Sequence, residues 1–195
     1  MNRYKKNLKL LTKNRVYSKE MEHDACGVGV IASTEGKKSR SIVEQGIQAL
    51  KAVWHRGAVD ADGKTGDGAG IHVEIPKDFF IEKIEVTGHD YDNSEICVGM
   101  IFLPRNHYAA QESCKTIVES ELTKNNFSIY GWRQVPVNPK VLGEKAFQTM
   151  PEIIQVLFKP YNPELTNKDL ERKIYETRRK IENEAFKKSL NNFYI

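Results

Sequence analysis

Five short apolar or alternating runs set the first constraint on this chain: residues 27–32 (GVGVIA), 71–75 (IHVEI), 95–103 (EICVGMIFL), 127–137 (FSIYGWRQVPV) and 153–158 (IIQVLF). Each has the length of a strand, and none approaches the roughly 20 apolar residues that span a bilayer. Between them the apolar period changes to that of a helix. Ser41-x-x-Glu44 reads as a capping box opening a helix whose apolar positions Ile42, Leu50 and Val53 fall near helical spacing, with Ile47 and Trp54 beside them. Ala110, Cys114, Ile117, Val118 and Leu122 mark a second helix. Thr166-x-x-Asp169 caps a last one, running to Leu190 and carrying Leu170, Ile174, Ile181 and Ala185 in one stripe. Residues 55–70 form a polar, glycine-rich loop, and Pro76 stops the strand that follows it. Phe193-Tyr194-Ile195 starts another strand pattern, expected to be too short to pair well or bury a face. Strands interleaved with amphipathic helices predict an α/β or α+β layered domain, and 195 residues suffice for one such domain with its own core.

Charge is uneven along the chain. Seven of its 30 basic and three of its 26 acidic residues lie in residues 1–25, leaving 23 of each sign from Cys26 onward. A globular nucleic-acid binder keeps its basic surface in the folded part, so no nucleic-acid partner is expected. The basic head has only Leu8, Leu10 and Leu11 as an apolar core, too little for a secretory signal. It reads as an organelle transit peptide, a basic tail or a removable propeptide. The three cysteines, Cys26, Cys97 and Cys114, show no CxxC spacing. That argues against a disulfide framework, a zinc site or an iron–sulfur cluster held by this segment, and for a reducing, cytoplasmic setting with no membrane partner.

Three motif readings fail on their own terms. Gly66-x-Gly68-x-Gly70 precedes a strand pattern rather than opening a helix, unlike a dinucleotide fingerprint. Gly63-Lys64-Thr65 has Ala58 where a phosphate loop needs glycine. Asp60-x-Asp62 begins like a calcium loop, but its next ligand position is Lys64. Cys26, taken alone, reads as a small core residue.

Its neighbours change that reading. Asp24-Ala25-Cys26-Gly27-Val28-Gly29-Val30, His55-Arg56-Gly57-Ala58 and Thr65-Gly66-Asp67-Gly68-Ala69-Gly70-Ile71 follow one another in an order that resembles the glutaminase domain of glutamate synthases. So do the segment Val98-Gly99-Met100-Ile101-Phe102-Leu103-Pro104, the segment Gly131-Trp132-Arg133-Gln134-Val135-Pro136-Val137, and Leu142-Gly143. That domain is a class II glutamine amidotransferase of the N-terminal-nucleophile hydrolase superfamily, and the resemblance runs from about residue 22 onward.

The resemblance implies part of a four-layer αββα sandwich, with residues 1–25 a propeptide and 26–195 the front of the amidotransferase domain. It implies that Cys26 is the nucleophile and that its own α-amino group is the base. A free amine (pKa about 7.7–8.0) and a thiol (about 8.5) trade a proton readily near neutral pH. An amide nitrogen is not basic, so cleavage between Ala25 and Cys26 is implied too. His55, Arg56 and Gly57 resemble the loop that closes over the nucleophile. Arg56 either holds a substrate carboxylate or pins the loop's backbone, and Asp67 reads as a turn residue. Cys97 and Cys114 read as core. The substrate is glutamine. Flavin mononucleotide, an iron–sulfur cluster and NAD(P)H or ferredoxin belong by resemblance to a downstream synthase domain that reductively aminates 2-oxoglutarate, and no cofactor is expected in this segment. The family's oxyanion-hole Asn-Gly and its glutamine-binding Arg and Asp have no match here, so the chain is expected to be truncated at its C-terminus, with a downstream portion or a separate polypeptide completing the fold. A non-catalytic or regulatory module, and the glutaminase part of another class II amidotransferase, remain the alternatives.

Overall fold

The structure, a computed structural model, describes residues 3–13, 27–53, 59–66, 68–165 and 167–195. The chain divides into two compact units, one of Met1–Val59 with Gly66–Ile71, the other of Asp60–Thr65 with His72–Ile195.

The described part of the first unit holds two helices, α1 (Arg3–Lys13) and α2 (Arg40–Ala52). Helix α2 starts one residue before the expected capping box. Ser39 occupies the N-cap with no side-chain cap bond, and its hydroxyl shares a hydrogen bond of 2.9 Å with that of Ser41. Glu44 reaches back to the Arg40 guanidinium at 3.2 Å rather than to a free backbone N–H. Residues 27–32, expected as a buried strand, carry no strand, and Val28 and Val30 are exposed. A strand exists only through ladder bonds to a neighbour, and none of the described residues pairs with this run.

The second unit is built on one three-stranded antiparallel sheet. Its elements are α3 (Lys77–Val86), β1 (Cys97–Leu103), α4 (Tyr108–Lys124), β2 (Phe127–Gln134), α5 (Glu144–Thr149), β3 (Glu152–Pro160) and α6 (Asn167–Lys187). The spatial order is β1-β3-β2. Cys97 pairs with Phe158 and Leu103 with Glu152 on one side of β3, and Phe127 pairs with Pro160 and Gln134 with Ile154 on the other. Strands β1 and β2 therefore run parallel to each other, joined by the α4 crossover, with β3 inserted between them. The mixed helix-and-strand class follows the sequence expectation. The 71–75 run differs from it: no ladder forms there, Ile71 and Val73 are exposed, and only Ile75 packs against a core cluster.

Alternation along the strands divides the core in two. Ile101, Leu103, Ile154, Val156 and Phe158 face α4 and α6, which contribute Cys114, Ile117, Val118, Leu122, Leu170, Ile181 and Ala185. Val98 and Leu157, of opposite parity, meet Phe80 and Ile84 of α3. Helix α3 was not foreseen, although Pro76 followed by Asp78 and by Phe80 and Ile84 four apart is a legible helix start. Thr177 fills a gap in the α6 stripe. It is 1% exposed and satisfies its hydroxyl by donating to the Lys173 carbonyl at 2.8 Å. The expected cap of α6, Thr166, lies outside the described residues, and the helix ends at Lys187 with Ser189 left-handed (φ 54°) and the Leu190 N–H bonded to the Ala185 carbonyl.

Two irregularities shape the sheet. Strand β2 carries a bulge between Ile129 and Gly131, and Gly131 adopts φ 151° with Thr87 so close that a Cβ would lie 2.8 Å from its methyl group. The bulge turns Tyr130 to the α3 side, where its hydroxyl donates to Asp92 at 3.0 Å. Lys159 pairs with the same carboxylate and places its ammonium 5.1 Å from the Tyr130 ring centroid. The Lys159 bond, with others from Ser94 and Tyr130, holds Asp92 well below the usual carboxylate range, while burial and then Asp92 push the Tyr130 hydroxyl upward. At the outer edge of β1, Tyr194 forms an antiparallel bridge with Phe102. The Phe102 N–H donates to the Tyr194 carbonyl at 2.9 Å, and the Tyr194 N–H donates back at 3.1 Å. The terminal strand pattern thus pairs.

Because α6 is held to the sheet by this narrow stripe, Ile181→Ala should lower the unfolding free energy by about 2–5 kcal/mol. Urea unfolding measures it, and a loss under about 1 kcal/mol would mean that α6 does not seal this face.

Candidate active site

The polar loop after residue 58 is the most elaborately bonded irregular segment among the described residues. Val59 and Gly66 pair across it as an antiparallel bridge, and the Asp60 N–H donates to the Thr65 carbonyl at 2.7 Å. Its turn needs Gly63, which is left-handed at φ 68° and donates its N–H to the Asp60 carbonyl at 2.9 Å. The two aspartates that began like a calcium loop are occupied otherwise. Asp62 Oδ1 accepts from the N–H groups of Lys64 (2.9 Å) and Thr65 (2.7 Å), and Oδ2 accepts from the Thr65 hydroxyl at 2.5 Å. The Glu144 N–H, at the start of α5, adds the smallest contribution to holding this carboxylate ionised. Led by the Thr65 hydroxyl, these donors lower its pKa from 3.8 to about 2. Asp60 Oδ1 accepts from the Ala61 N–H, and its Oδ2 pairs with Lys145 of α5 at 2.5 Å.

Gly143 makes this docking sterically possible. Its backbone is ordinary extended (φ −72°, ψ 165°), so torsion does not require glycine there. Space does: a Cβ would strike the Asp62 and Thr65 side chains and approach the Thr65 nitrogen to 2.5 Å. Gly99 is similar, with Val156 Cγ1 at 2.7 Å from a built Cβ. The motif segments around Gly99, Gly131 and Gly143 thus mark close backbone approaches. Trp132 and Arg133 also have structural partners. The indole N–H donates to Glu119 at 2.7 Å, and the Arg133 guanidinium donates to Gln155 at 2.6 Å while lying 5.1 Å from the Phe79 ring centroid.

Of the residues singled out from sequence, Cys26, His55, Arg56, Gly57 and Asp67 lie outside the described residues. Cys97 and Cys114 are core, at 4% and 0% exposure. Burial, reinforced by Glu95 and Glu171, raises the Cys97 thiol from 9.0 to about 12, and burial raises that of Cys114. Neither is a nucleophile at neutral pH. Among the described residues no group of three His, Cys, Asp or Glu side chains is placed to hold a metal ion, and no helix is long and apolar enough to cross a membrane. The Asp62–Gly143 docking was missed in the sequence, although Asp62 three residues before Thr65 is a legible side-chain turn.

The sequence profile of the class-II glutamine amidotransferases matches residues 26–195. The chain is 50% identical over 192 residues to the glutamate synthase (NADPH) large chain of Azospirillum brasilense, covering 98% of this chain and 13% of that protein. It is 39% identical over 175 residues to the ferredoxin-dependent glutamate synthase of Pyropia yezoensis (89% and 11%). With the chloroplastic ferredoxin-dependent glutamate synthase of Spinacia oleracea it shares 38% identity over 165 residues (84% and 10%). The chain thus spans only a small part of the length of these relatives.

The two core thiols carry a pH signature. Each remains protonated in the fold where the unfolded chain ionises, so the folded state binds more protons and loses stability as pH rises. For Cys97 the contribution is complete below pH 9.0 and disappears as pH climbs towards about 12. Cys97→Val should therefore flatten the fall of unfolding free energy across that window, as read by urea melts at stepped pH. A slope unchanged from the wild type would mean that this thiol is not shielded.

Proposed function

The chain belongs to the class-II glutamine amidotransferases, and from that membership we propose that it is the glutaminase segment of a glutamate synthase, with Cys26 as nucleophile. The observation that carries this reading is where the family match begins: at Cys26 itself, the thiol that a self-contained N-terminal nucleophile needs as its first residue.

In this reading residues 1–25 are a propeptide, and their removal exposes the Cys26 α-amino group. That amine takes the thiol proton, and the thiolate attacks the side-chain amide carbon of glutamine. The proton passes to the departing nitrogen, ammonia leaves, and a γ-glutamyl thioester remains. Water then adds to the thioester carbon, releasing glutamate and returning the thiol. His55, Arg56 and Gly57 form the loop over this centre, with Arg56 facing the substrate's carboxylate or the loop's own backbone. The ammonia serves reductive amination of 2-oxoglutarate in the remainder of the protein, where flavin mononucleotide and an iron–sulfur cluster supply electron transfer. The described thiols of this segment do not fit that cluster: Cys97 and Cys114 are core residues on a strand and a helix, both held protonated. The 50% identity to an NADPH enzyme, against 36–40% to ferredoxin-dependent ones, favours NADPH as electron source. The setting is cytoplasmic, with an organelle as the alternative if residues 1–25 serve as a transit peptide.

Cys26→Ala in the complete polypeptide should reduce glutamine-dependent ammonia release by about 10³-fold or more and leave residues 1–25 attached in intact-mass spectra. An electrophilic glutamine analogue should add its mass to Cys26 of the wild type only. Normal turnover in the variant would overturn the assignment. A wild type that neither hydrolyses glutamine nor takes up the analogue would identify a non-catalytic module.

A further inference from the structure

A cavity of about 320 Å³ opens at the end of the sheet where β1 gives way to α4 and β2 also terminates. That volume is at the low end for small-molecule sites, and the carboxyl ends of parallel strands are where such sites form in layered sheets. Its charged wall is Arg105, Lys115 and Glu152, with Leu103 and Ile154 as apolar lining. Arg105 has no carboxylate partner among the described residues. Its guanidinium lies 4.7 Å from the Phe147 ring centroid, a contact that holds the fork without using its N–H donors. Lys115 gives one donor to Glu112 at 2.9 Å and has two more. The first turn of α4 carries no acidic residue, so the positive helix end adds to these two cations. The same wall offers two acceptors. Gln111, 8% exposed, is pinned by its amide nitrogen, which donates to the carbonyls of Pro104 at 2.9 Å and Arg105 at 3.1 Å. Its amide oxygen accepts from no described residue. Because no buried side-chain oxygen among those residues lacks a partner, that oxygen opens on the cavity it lines. Glu152 accepts from Gln134 through Oε1, and its Oε2 meets no donor among the described residues.

We propose that this cavity binds a free α-amino acid, its carboxylate on Arg105 and Lys115 and its ammonium on Gln111 Oε1 and Glu152 Oε2. Two cations against one carboxylate leave the wall with a single net positive charge, which disfavours a purely cationic ligand. A bare anion would satisfy Arg105 but leave the Gln111 and Glu152 oxygens without a donor, and unmet polar groups cost more than a made bond returns. A zwitterion answers both poles at once. The planar fork of Arg105 suits the two oxygens of a carboxylate, and the stacking on Phe147 sets that fork before the ligand arrives. Leu103 and Ile154 receive the ligand's side chain.

The test is isothermal titration of the complete polypeptide with L-leucine and L-serine, neither of which carries the side-chain amide that a glutaminase hydrolyses. Their deamino and decarboxy analogues, each lacking one pole, are titrated alongside. At least one of the two amino acids should bind the wild type with a Kd of about 10⁻³ M or tighter, and each analogue about tenfold more weakly or worse. Arg105→Met should weaken the amino acid by about tenfold or more. Glu152→Gln should weaken the amino acid by a similar factor yet leave the deamino acid unchanged, an asymmetry that misfolding of either variant would not produce. Failure of both amino acids to bind the wild type overturns the proposal. So does binding that persists undiminished in Arg105→Met and Glu152→Gln, since the ligand then sits elsewhere. A deamino acid that binds as tightly as its parent also overturns it, because the wall would then read a bare anion.

Discussion

Strand β3 is the element on which the second unit depends. It alone pairs with both other strands, and without it β1 and β2 have no common neighbour. Its residues 154–158 are all buried, divided by parity between the α4–α6 core and the α3 core. An alternating half-polar strand could not serve here, because each face of the sheet is covered where β3 passes. The near-continuous apolar run IIQVLF is what such a central strand requires. Its one polar side chain, Gln155, is spared an unmet acceptor by the Arg133 guanidinium.

The same demand explains how the neighbouring strands are adjusted. Next to β3, Gly99 gives up its side chain to Val156, and β2 inserts Tyr130 as an extra residue. The bulge carries a cost in the ladder, offset by what it aims. Tyr130 gains a buried ring position, and its hydroxyl joins Lys159 on Asp92, tying residues 87–96 to the sheet. A polar cluster of three groups with every partner met can stand at the end of an apolar face. The same groups without one another could not.

Much of this was legible beforehand, for a physical reason. Helices α4 and α6 bury one face each, and the strands at 97–103, 127–134 and 152–160 are apolar runs of strand length that the core covers, so the pattern burial demands can be read back from the sequence. The failures follow the same logic in reverse. Residues 27–32 and 71–75 have the composition of strands, but a strand is a property of a pair, and composition does not name the partner. Helix α5 is six residues long with no buried side chain, and the His107 cap of α4, whose Nδ1 accepts from the Ala110 N–H at 3.1 Å, is a local polar bond, so neither leaves a period. Of the proposed catalytic residues, Cys26 stood out only through its neighbours, because a single thiol beside valines has no spacing of its own.

Asp60-x-Asp62 shows how a correct exclusion can stop short of its reason. Lys64 at the next ligand position is ground enough to reject a calcium loop. The structure supplies a stronger ground, since both Asp62 oxygens already accept protein donors and Asp60 is shared between Ala61 and Lys145. A divalent cation needs six or more oxygens turned toward one point, whereas these carboxylates are turned toward N–H groups, a hydroxyl and an ammonium. The acidic pair therefore acts as an acceptor for the chain's own backbone and leaves no inward-facing oxygen cage to fill. Carboxylates in a glycine-rich turn can serve either role, and the donors already bound decide which.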